Sequence, residues 1–282
     1  MKIAVTTASG ALGSEIIKAL VKEVGNKNII GIARSPEKAT HLGIEIRKGD
    51  YNNKEDFNKA LKGTDVVLLV SGMDHPDKRI GQHRNIINAA KENGVKNIVY
   101  TSIIGKDGDS TFDPIVKSNR QTEKDIQESG LDWLIGRNGL YIEPDVEYIE
   151  KYKEFGKIAN CAADGLCSYT SRSELAFAYT KMILHEDRNG NIYNLVGDAI
   201  SQIQLTNYLN LAFGTDLFYE TMEVEDYLEF QQKVNGEFLG TVIAGIYSKI
   251  RNGEFNVESD FEAAAGRKHI CWDIFFENIK QN

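Results

Sequence analysis

The sequence predicts a doubly wound α/β fold, in which helices cover both faces of a parallel sheet, followed by a smaller, mostly helical lobe. Short apolar runs alternate with amphipathic stretches through the first half of the chain. The runs are apolar at successive positions, which is typical of strands buried on both faces. Turn signals such as "ENG" and "ESG" separate them. Because parallel strands are joined by right-handed crossovers, this alternation predicts a Rossmann-like sheet.

The apolar runs have the length of single strands. We predict strands at Ile3–Val5, Ile29–Ala33, Val66–Val70, Ile98–Tyr100 and Trp133–Ile135. A further strand is expected to end at "GDY", residues 49–51. The amphipathic stretches between the runs predict helices at Ser14–Val24, Pro36–Leu42, Lys54–Leu61, Gln82–Asn93 and Ser118–Glu128.

The second half of the chain is less regular. "SRSELAFAYTKMIL" predicts a helix over 171–184 with Ser171 or Ser173 as its cap, and "NIYNLVG" predicts a strand over 191–197. Three more helices are expected at 204–213, 224–234 and 238–255, the last ending near Gly253.

The change of pattern places the domain boundary. We predict a first domain at 1–140, to which the strand at 191–197 returns, and a smaller lobe at 141–282. The four prolines are spread along the chain and mark no linker.

Composition and charge exclude several classes of protein. With 33 basic and 41 acidic residues the net charge is −8, which argues against a nucleic-acid binder. No apolar stretch approaches the about 20 residues of a membrane span. Three cysteines, and an N-terminus without the pattern of a signal peptide, indicate a cytoplasmic protein. No cysteine or histidine spacing predicts a metal site.

The stretch "KIAVTTASGALGSEIIKAL", residues 2–20, has the layout of a dinucleotide-binding turn between a strand and a helix. Gly10 and Gly13 occupy the second and third glycine positions of G-x-x-G-x-x-G, and Thr7 stands at the first. A residue with a Cβ is tolerated there if its φ stays negative. Backbone N–H groups of the helix start would face the phosphates, and the hydroxyls of Thr7 and Ser9 are further donors. The alternative is a simple packing turn.

The residue after the second strand predicts which dinucleotide is bound. An acidic residue there would hold the ribose hydroxyl of NAD, but this chain has Arg34. A guanidinium suits a 2′-phosphate, so we predict NADP(H) over NAD(H). The alternative is a solvated arginine at a helix start. Asp50 is placed to approach the adenine amino group, or is an exposed acid in a turn.

Ligands in open α/β sheets lie at the carboxyl ends of the strands. Here those ends carry Val70, Ser71 and Gly72 after one strand and Thr101 after the next. Their small side chains would let the cofactor approach. His75, in the loop that follows Gly72, is either a residue that overhangs the nicotinamide or a solvated loop residue.

Several segments together resemble the NmrA-like proteins, which are atypical short-chain dehydrogenase/reductase relatives. The segments are "TASGALG", "ARSPEKA", "GDYNN", "QHRNIINAAKENGVKNIVYTS", "TEKDIQESGLDWLIGRNGLY" and "NIYNLVGD". The chain is most similar to the branch of NADPH quinone oxidoreductases and triphenylmethane reductases. It departs from that branch at Thr7, at Asn119 in place of a frequent histidine, and at Pro144 in place of a pocket asparagine.

The resemblance implies NADPH in a Rossmann domain, with the substrate in a cleft between that domain and the lobe. Carried over residue by residue, its cofactor contacts fall on Thr6, Thr7, Ser9, Gly10, Ala11, Leu12, Arg34, Val70, Ser71 and Gly72. Its substrate pocket falls on Asn138, Gly139, Tyr141, Ile142, Glu143 and Arg172. Tyr141 and Phe112 would line that pocket with aromatic rings, or pack in the core.

The sequence identifies no catalytic residue. Ordinary short-chain dehydrogenases use Tyr-x-x-x-Lys for proton transfer, and none of the 12 tyrosines has a lysine four residues later. Two functions therefore stay open. One is an NADPH-dependent reductase that passes a hydride to a quinone-like or dye-like small molecule, which needs no positioned acid. The other is a non-catalytic NADP(H) sensor that regulates a protein partner. The sequence leaves a homodimer open as well.

Overall fold

Seven parallel strands form the central sheet, and this confirms the predicted fold class. The computed structural model describes residues 1–106, 111–185 and 189–280. The strands of the central sheet are β1 (Ile3–Val5), β2 (Ile29–Ala33), β3 (Glu45–Lys48), β4 (Val66–Val70), β5 (Asn97–Ile103), β6 (Asp132–Asn138) and β10 (Asn191–Leu195). Their spatial order is β3-β2-β1-β4-β5-β6-β10. The chain direction across the sheet reverses between β1 and β4, where an open α/β sheet forms its ligand crevice.

Helices cover both faces of this sheet. The helices are α1 (Ala11–Val24), α2 (Lys54–Ala60), α3 (Pro76–Glu92), α4 (Asp113–Gln127), α5 (Glu143–Glu147), α6 (Ile149–Phe155), α7 (Arg172–Leu184), α8 (Gln202–Phe213), α9 (Val224–Asn235), α10 (Glu237–Arg251), α11 (Phe261–Ala265) and α12 (Trp272–Lys280). A 3-10 helix occupies Pro36–Leu42.

The alternation of side chains in β1 explains the two-sided core. Ile3 and Val5 face a cluster with α1 and α7, and Ala4 faces a second cluster with α2 and α3. All three are fully buried. Since successive strand residues point to opposite faces, a strand covered on both sides must be apolar throughout.

The structure moves the bounds of several predicted elements. The helix predicted from residue 82 begins at Pro76, because His75 caps it and a proline fits the first helical position. The helix predicted to end near Gly253 ends at Arg251.

The later part of the chain forms two small sheets among its helices. β9 (Leu166–Thr170) pairs with both β7 (Leu140–Tyr141) and β11 (Ala199–Ser201), and β8 (Lys157–Asn160) pairs with β12 (Phe218–Thr221). The sequence analysis predicts none of these strands. β10 returns to the central sheet beside β6, and α7 contacts α1.

A buried ion cluster attaches α10 to the central sheet. The Lys249 ammonium is fully buried and lies 2.7 Å from Asp113 Oδ1 and 2.5 Å from Glu254 Oε2. It also donates to the carbonyl oxygen of Lys106 at 3.1 Å. Because Asp113 begins α4 and Lys106 follows β5, this one side chain holds the end of α10 against the carboxyl edge of the sheet.

Within the three described ranges, no helix has the length and apolar character needed to cross a membrane.

Removing the Lys249 ammonium should strongly destabilise the fold. Lys249→Met removes the buried cation that Asp113 and Glu254 share, and breaking a buried ion pair in this way typically costs about 3–5 kcal/mol. The free energy of unfolding, measured by urea denaturation, should fall by that amount. Lys18→Met is the control, since Lys18 forms an exposed pair with Glu15 and should leave the midpoint nearly unchanged. Equal effects of the two substitutions would contradict a stabilising role for the cluster.

Candidate functional site

The turn between β1 and α1 is shaped by the backbone of Thr7. Its carbonyl oxygen accepts the N–H of Gly10 at 2.8 Å. A Cβ at residue 13 would lie only 2.4 Å from the same oxygen, so Gly13 must be glycine for α1 to approach this closely. This is the role that the motif predicts for its third glycine.

The expectation of a negative φ at Thr7 is wrong. Its φ is +51°, in the left-handed region that a β-branched residue rarely adopts. The first glycine of the usual motif tolerates this region without a steric penalty, whereas Thr7 bears about 1–2 kcal/mol of strain. Such strain persists only where the surrounding structure imposes it, and it is concentrated at functional sites. Here the neighbouring Ala8 is fixed by its N–H bond to the carbonyl oxygen of Ile32 at 3.0 Å.

The N-terminus of α1 is available to an anion. Gly10 is its N-cap and supplies no side-chain cap, and the first turn contains no acidic residue. The N–H groups of Ala11 and Leu12 therefore have no intrahelical acceptor. Ser9 and Ala11 are exposed beside them, while the Leu12 side chain is buried in the core. Free N–H groups and the helix dipole together favour a phosphate at this position.

Arg34 is free to bind a ligand. It follows β2 directly, its side chain is exposed, and no residue of the described ranges pairs with its guanidinium. The strand predicted to end at 49–51 ends at Lys48, so Asp50 lies in the turn that follows β3. Its Oδ1 accepts the backbone N–H of Asn52 at 2.9 Å and the amide of the same residue at 3.2 Å.

The hydroxyl oxygens of Thr6 and Thr101 accept backbone N–H groups at the end of β4. Thr6 is fully buried, and its Oγ1 accepts the N–H of Val70 at 2.9 Å and lies 2.7 Å from the Tyr51 hydroxyl. Thr101 is also buried, and its Oγ1 accepts the N–H of Ser71 at 2.9 Å. These bonds fix the end of β4, so contact with a cofactor there would come from the backbone of 70–72.

A buried histidine holds the loop after β4. The N–H of Gly72 donates to His83 Nε2 at 3.0 Å. His83 Nδ1 donates to Thr122 Oγ1 at 2.9 Å, since that hydroxyl donates to the carbonyl oxygen of Ser118 at 3.0 Å. An imidazole that accepts at one nitrogen and donates at the other must be neutral. Burial, together with the nearby Arg79 charge, lowers the pKa of His83 to about 3.

The residues after β6 form a chain of buried polar groups. Asn138 Oδ1 accepts the Tyr179 hydroxyl at 2.6 Å, and its amide donates to the Tyr141 hydroxyl oxygen at 3.2 Å. Burial raises the pKa of Tyr141 to about 12, so this phenol keeps its proton at neutral pH. A Cβ at Gly139 would lie 2.5 Å from the Ser168 carbonyl oxygen, so glycine lets β9 pack closely beside it.

Glu143 and Arg172 lie together beside Tyr141. Glu143 Oε1 accepts the backbone N–H of Arg172 at 2.6 Å, and burial raises the pKa of this carboxyl. No described residue donates to its buried Oε2. The Arg172 guanidinium lies 6.0 Å from the Tyr141 ring centroid and pairs with Glu147 at 2.6 Å. Ile142, by contrast, is fully buried in the core.

The face of α4 that packs on β5 carries Asn119 and Glu123, four residues apart. Asn119 Oδ1 accepts the Tyr100 hydroxyl at 2.7 Å and lies 3.3 Å from Ser71 Oγ. The Glu123 carboxylate accepts from Ser102 and Arg120, each at 2.6 Å, and from Nε and Nη2 of Arg137. Both side chains are buried and committed to neighbouring residues, so neither is free to donate a proton to a substrate.

His75 and Phe112 have structural contacts. His75 caps α3, lies 3.3 Å from Asp77 Oδ2, and packs its ring on Phe238 with 5.0 Å between centroids. Phe112 is buried and packs on Phe255, which favours the core interpretation over an aromatic wall.

The carboxyl edge of the sheet brings the predicted cofactor residues into one region: 6–12, Arg34, Asp50, 70–72 and Thr101. The predicted substrate residues, which run from Asn138 at the end of β6 to Glu143, lie at the same edge, and Arg172 joins them through Glu143. Sequence reasoning missed Tyr51, His83 and Asn119 as supports of this edge. No local pattern marks them, because each acts on a residue at least eleven positions away.

Comparison with known proteins decides the family. A family model described as NAD(P)H-binding matches residues 7–159. The chain belongs to this NAD(P)H-binding family. It is 34% identical over 229 residues to quinone oxidoreductase 2 of Escherichia coli K12, covering 80% of this chain and 79% of that protein.

Two further relatives confirm the predicted resemblance to NmrA-like reductases. An NmrA-like family domain-containing oxidoreductase of Aspergillus flavus is 28% identical over 76% of this chain and 72% of its own. The solved triphenylmethane reductase of Citrobacter sp., complexed with NADP(H), is 31% identical and superposes with a TM-score of 0.89 over 99% of each chain. This member of the NAD(P)H-binding family is an NAD(P)H-dependent oxidoreductase.

Relieving the strain at Thr7 should stabilise the protein. Thr7→Gly should raise the free energy of unfolding by about 1 kcal/mol, since the steric penalty of about 1–2 kcal/mol exceeds the added entropy of glycine. Urea denaturation measures the change. Ser9→Gly is the control, because Ser9 lies in the same turn without a positive φ and should gain no stability. A destabilised Thr7→Gly variant would show that the threonine side chain contributes more than its strain costs.

The neutral His83 should make stability depend on pH. Its pKa is about 3 when folded against 6.5 for the free side chain. The unfolded state therefore binds a proton first as pH falls below 6.5, and this lowers the free energy of unfolding by up to about 1.4 kcal/mol per pH unit.

His83→Gln should remove the pH dependence that His83 causes. The variant should therefore be less stable than the wild type at pH 7, and this difference in the free energy of unfolding should shrink as the pH is lowered towards 4. Urea denaturation at a series of pH values checks this, with the exposed His41→Gln as the matched control. A deficit that stays constant with pH would contradict a neutral His83.

Proposed function

We propose that this chain is an NADPH-dependent reductase that transfers a hydride to a quinone-like or dye-like conjugated acceptor. The observation that carries the choice of cofactor is Arg34. Its exposed guanidinium, which pairs with no residue that the structure describes, follows β2, where NAD-binding proteins place an acidic residue. An arginine there attracts a 2′-phosphate by a bidentate, charge-assisted contact.

The backbone around the turn fits the rest of a dinucleotide. A Cβ at Gly10 would lie 3.2 Å from the Thr7 carbonyl oxygen, so glycine keeps the turn tight and its outer surface open. The N–H groups of Ala11 and Leu12 would hold the pyrophosphate. The backbone of Val70, Ser71 and Gly72, held in place by Thr6, Thr101 and His83, would border the cofactor on the β4 side.

The choice of acceptor is supported by the lack of a free proton donor on α4. α4 contains no tyrosine, and Asn119 and Glu123 are committed to their neighbours. Reduction of a simple ketone benefits from a positioned proton donor. A conjugated acceptor such as a quinone is electrophilic enough to react without one, so positioning in a dry cleft is sufficient. The named activity of quinone oxidoreductase 2 agrees with this class of acceptor.

The net reaction conserves electrons and protons. When bound, NADPH supplies a hydride, that is, two electrons and a proton. A quinone that accepts it takes one further proton from water and leaves as the hydroquinone, and NADP⁺ is released. The work of the protein is to hold the two reactants in contact and to exclude water from the space between them.

The purified protein should consume NADPH in the presence of quinones or triphenylmethane dyes. The assay is anaerobic and follows nicotinamide absorbance across a panel of acceptors, with NADH in parallel. Turnover with a preference for NADPH is expected. Tight NADPH binding, seen by nicotinamide fluorescence, without turnover on any acceptor would overturn the reductase and favour the NADP(H) sensor.

Arg34→Ala should weaken NADPH binding selectively. A charge-assisted hydrogen bond contributes about 1.5–3 kcal/mol, which corresponds to an increase in the dissociation constant of about tenfold to a hundredfold. NADH affinity should change little, because NADH lacks the 2′-phosphate. Lys38→Ala, an exposed cation in the adjacent 3-10 helix, is the control for general loss of charge. An unchanged ratio of NADPH to NADH affinity would show that Arg34 does not contact the 2′-phosphate.

A further inference from the structure

The helix α8 lies in the longest uncharged stretch of the sequence. Residues 199–215 contain no Asp, Glu, Lys or Arg, although 26% of the whole chain is charged. One face of the helix is accounted for by the core, where Leu205 and Leu209 are fully buried. The opposite face is exposed and equally free of charge. Depletion of charged residues on an exposed surface is typical of the centre of a protein–protein interface.

The exposed face of α8 is a stripe of three side chains. Ile203, Asn207 and Leu211 are spaced by four residues and therefore lie above one another on the helix. The exposed fraction is 51% for Ile203 and 72% for Leu211. Asn207 lies between them, and its amide bonds to no residue that the structure describes. The stripe thus has the same order of apolar and amide side chains in both directions.

Neighbouring elements widen this face. α8 has 12 residues and is about 18 Å long, which is too small for the about 800 Å² that each partner of a stable dimer buries. α12 packs beside it, with the Tyr208 ring stacked on Phe276 at 5.1 Å between centroids. Ile274 of α12 is 48% exposed, and Phe218 of β12, which also contacts α8, is 56% exposed. Apolar side chains from three elements therefore contribute to one side of the molecule.

Charge distinguishes this face from the other exposed apolar surface, at the tip of the hairpin of α9 and α10. That tip exposes Phe230, Val234, Phe238 and Leu239. It also exposes the carboxylates of Glu225, Asp226, Glu229 and Glu237. In a two-fold interface the same patch of both copies meets, so an acidic patch repels itself. The α8 stripe has no such repulsion, and an amide can both donate to and accept from its own copy.

We propose that two copies of this chain associate through the exposed face of α8, about a two-fold axis that passes through Asn207. The axis sets the two helices antiparallel. Leu211 then packs on the partner's Ile203, and the two Asn207 amides donate to each other. Burial of the apolar ends of the stripe in both copies supplies the driving force. This inference does not depend on the proposed reductase function.

Sedimentation equilibrium of the full chain over a series of concentrations tests the association. The wild type should be a dimer. Leu211→Asp should raise the dissociation constant at least about a hundredfold, since the new carboxylate is buried in each of the two copies and a factor of about ten per copy is expected. Leu239→Asp is the matched control, because it places the same charge on a leucine that is 47% exposed in the hairpin tip. It should leave the dimer intact.

Far-UV circular dichroism should be the same for the wild type and both variants, since both leucines project into solvent. A wild type that stays monomeric up to its solubility limit overturns the proposal and would leave this face to a different protein. A dimer that dissociates equally in Leu239→Asp overturns it as well.

Cross-linking tests the position of the axis independently of stability. Asn207→Cys is combined with Cys271→Ser, because Cys271 is exposed whereas Cys161 and Cys167 are buried. A short bismaleimide should join this variant to its own copy. Phe230→Cys in the same background is the control, since Phe230 lies on the hairpin and should not be cross-linked. A dimer in which Asn207→Cys is not cross-linked, or is cross-linked no better than Phe230→Cys, would show that α8 is not the interface.

Discussion

The carbonyl oxygen of Thr7 is the contact on which the nucleotide-binding edge depends. It accepts the Gly10 N–H and lies where a Cβ of residue 13 would otherwise be. A glycine at 13 therefore lets the first turn of α1 pack closely against the loop that follows β1. The usual motif obtains this turn from a glycine at the first position. This chain obtains it from a threonine held at φ +51°, so the surrounding bonds must supply the energy that glycine would have saved.

The side chains around this edge mostly position backbone. Thr6, Thr101 and His83 each accept a backbone N–H from the end of β4 or the loop after it. These groups are buried and neutral, so they avoid the large desolvation penalty of a buried charge, and their hydrogen bonds are not weakened by salt. Among the described residues, this edge then exposes the N–H groups at the start of α1 and the guanidinium of Arg34, which none of those residues pairs with. Such a surface suits a reaction in which the cofactor carries the chemistry and the protein supplies orientation.

The C-terminal helices complete that surface through a few specific contacts. Lys249 attaches the end of α10 to the start of α4. Gly245 lets the middle of α10 approach Thr111 closely, since a Cβ at residue 245 would lie 2.5 Å from Thr111 Oγ1. The start of α10 then stands across from His75. The two ends of α10 are therefore both in contact with the Rossmann domain, one through the Lys249 cluster and the other through the ring of Phe238.

The sequence by itself determined the central sheet, because β1, β2 and β4 are local apolar runs and their observed bounds equal the predicted ones. It also placed the glycines of the turn and Arg34, whose chemistry depends on residue type at a known position in a strand–turn–helix unit. The short strands β7, β8, β11 and β12 were not predictable, because two to four residues carry too little periodicity and are stabilised by partners distant in the chain. Only the tertiary structure decided the positive φ of Thr7, the neutrality of His83 and the contact between the rings of His75 and Phe238. Each depends on groups brought together across the fold, and no local pattern records such contacts.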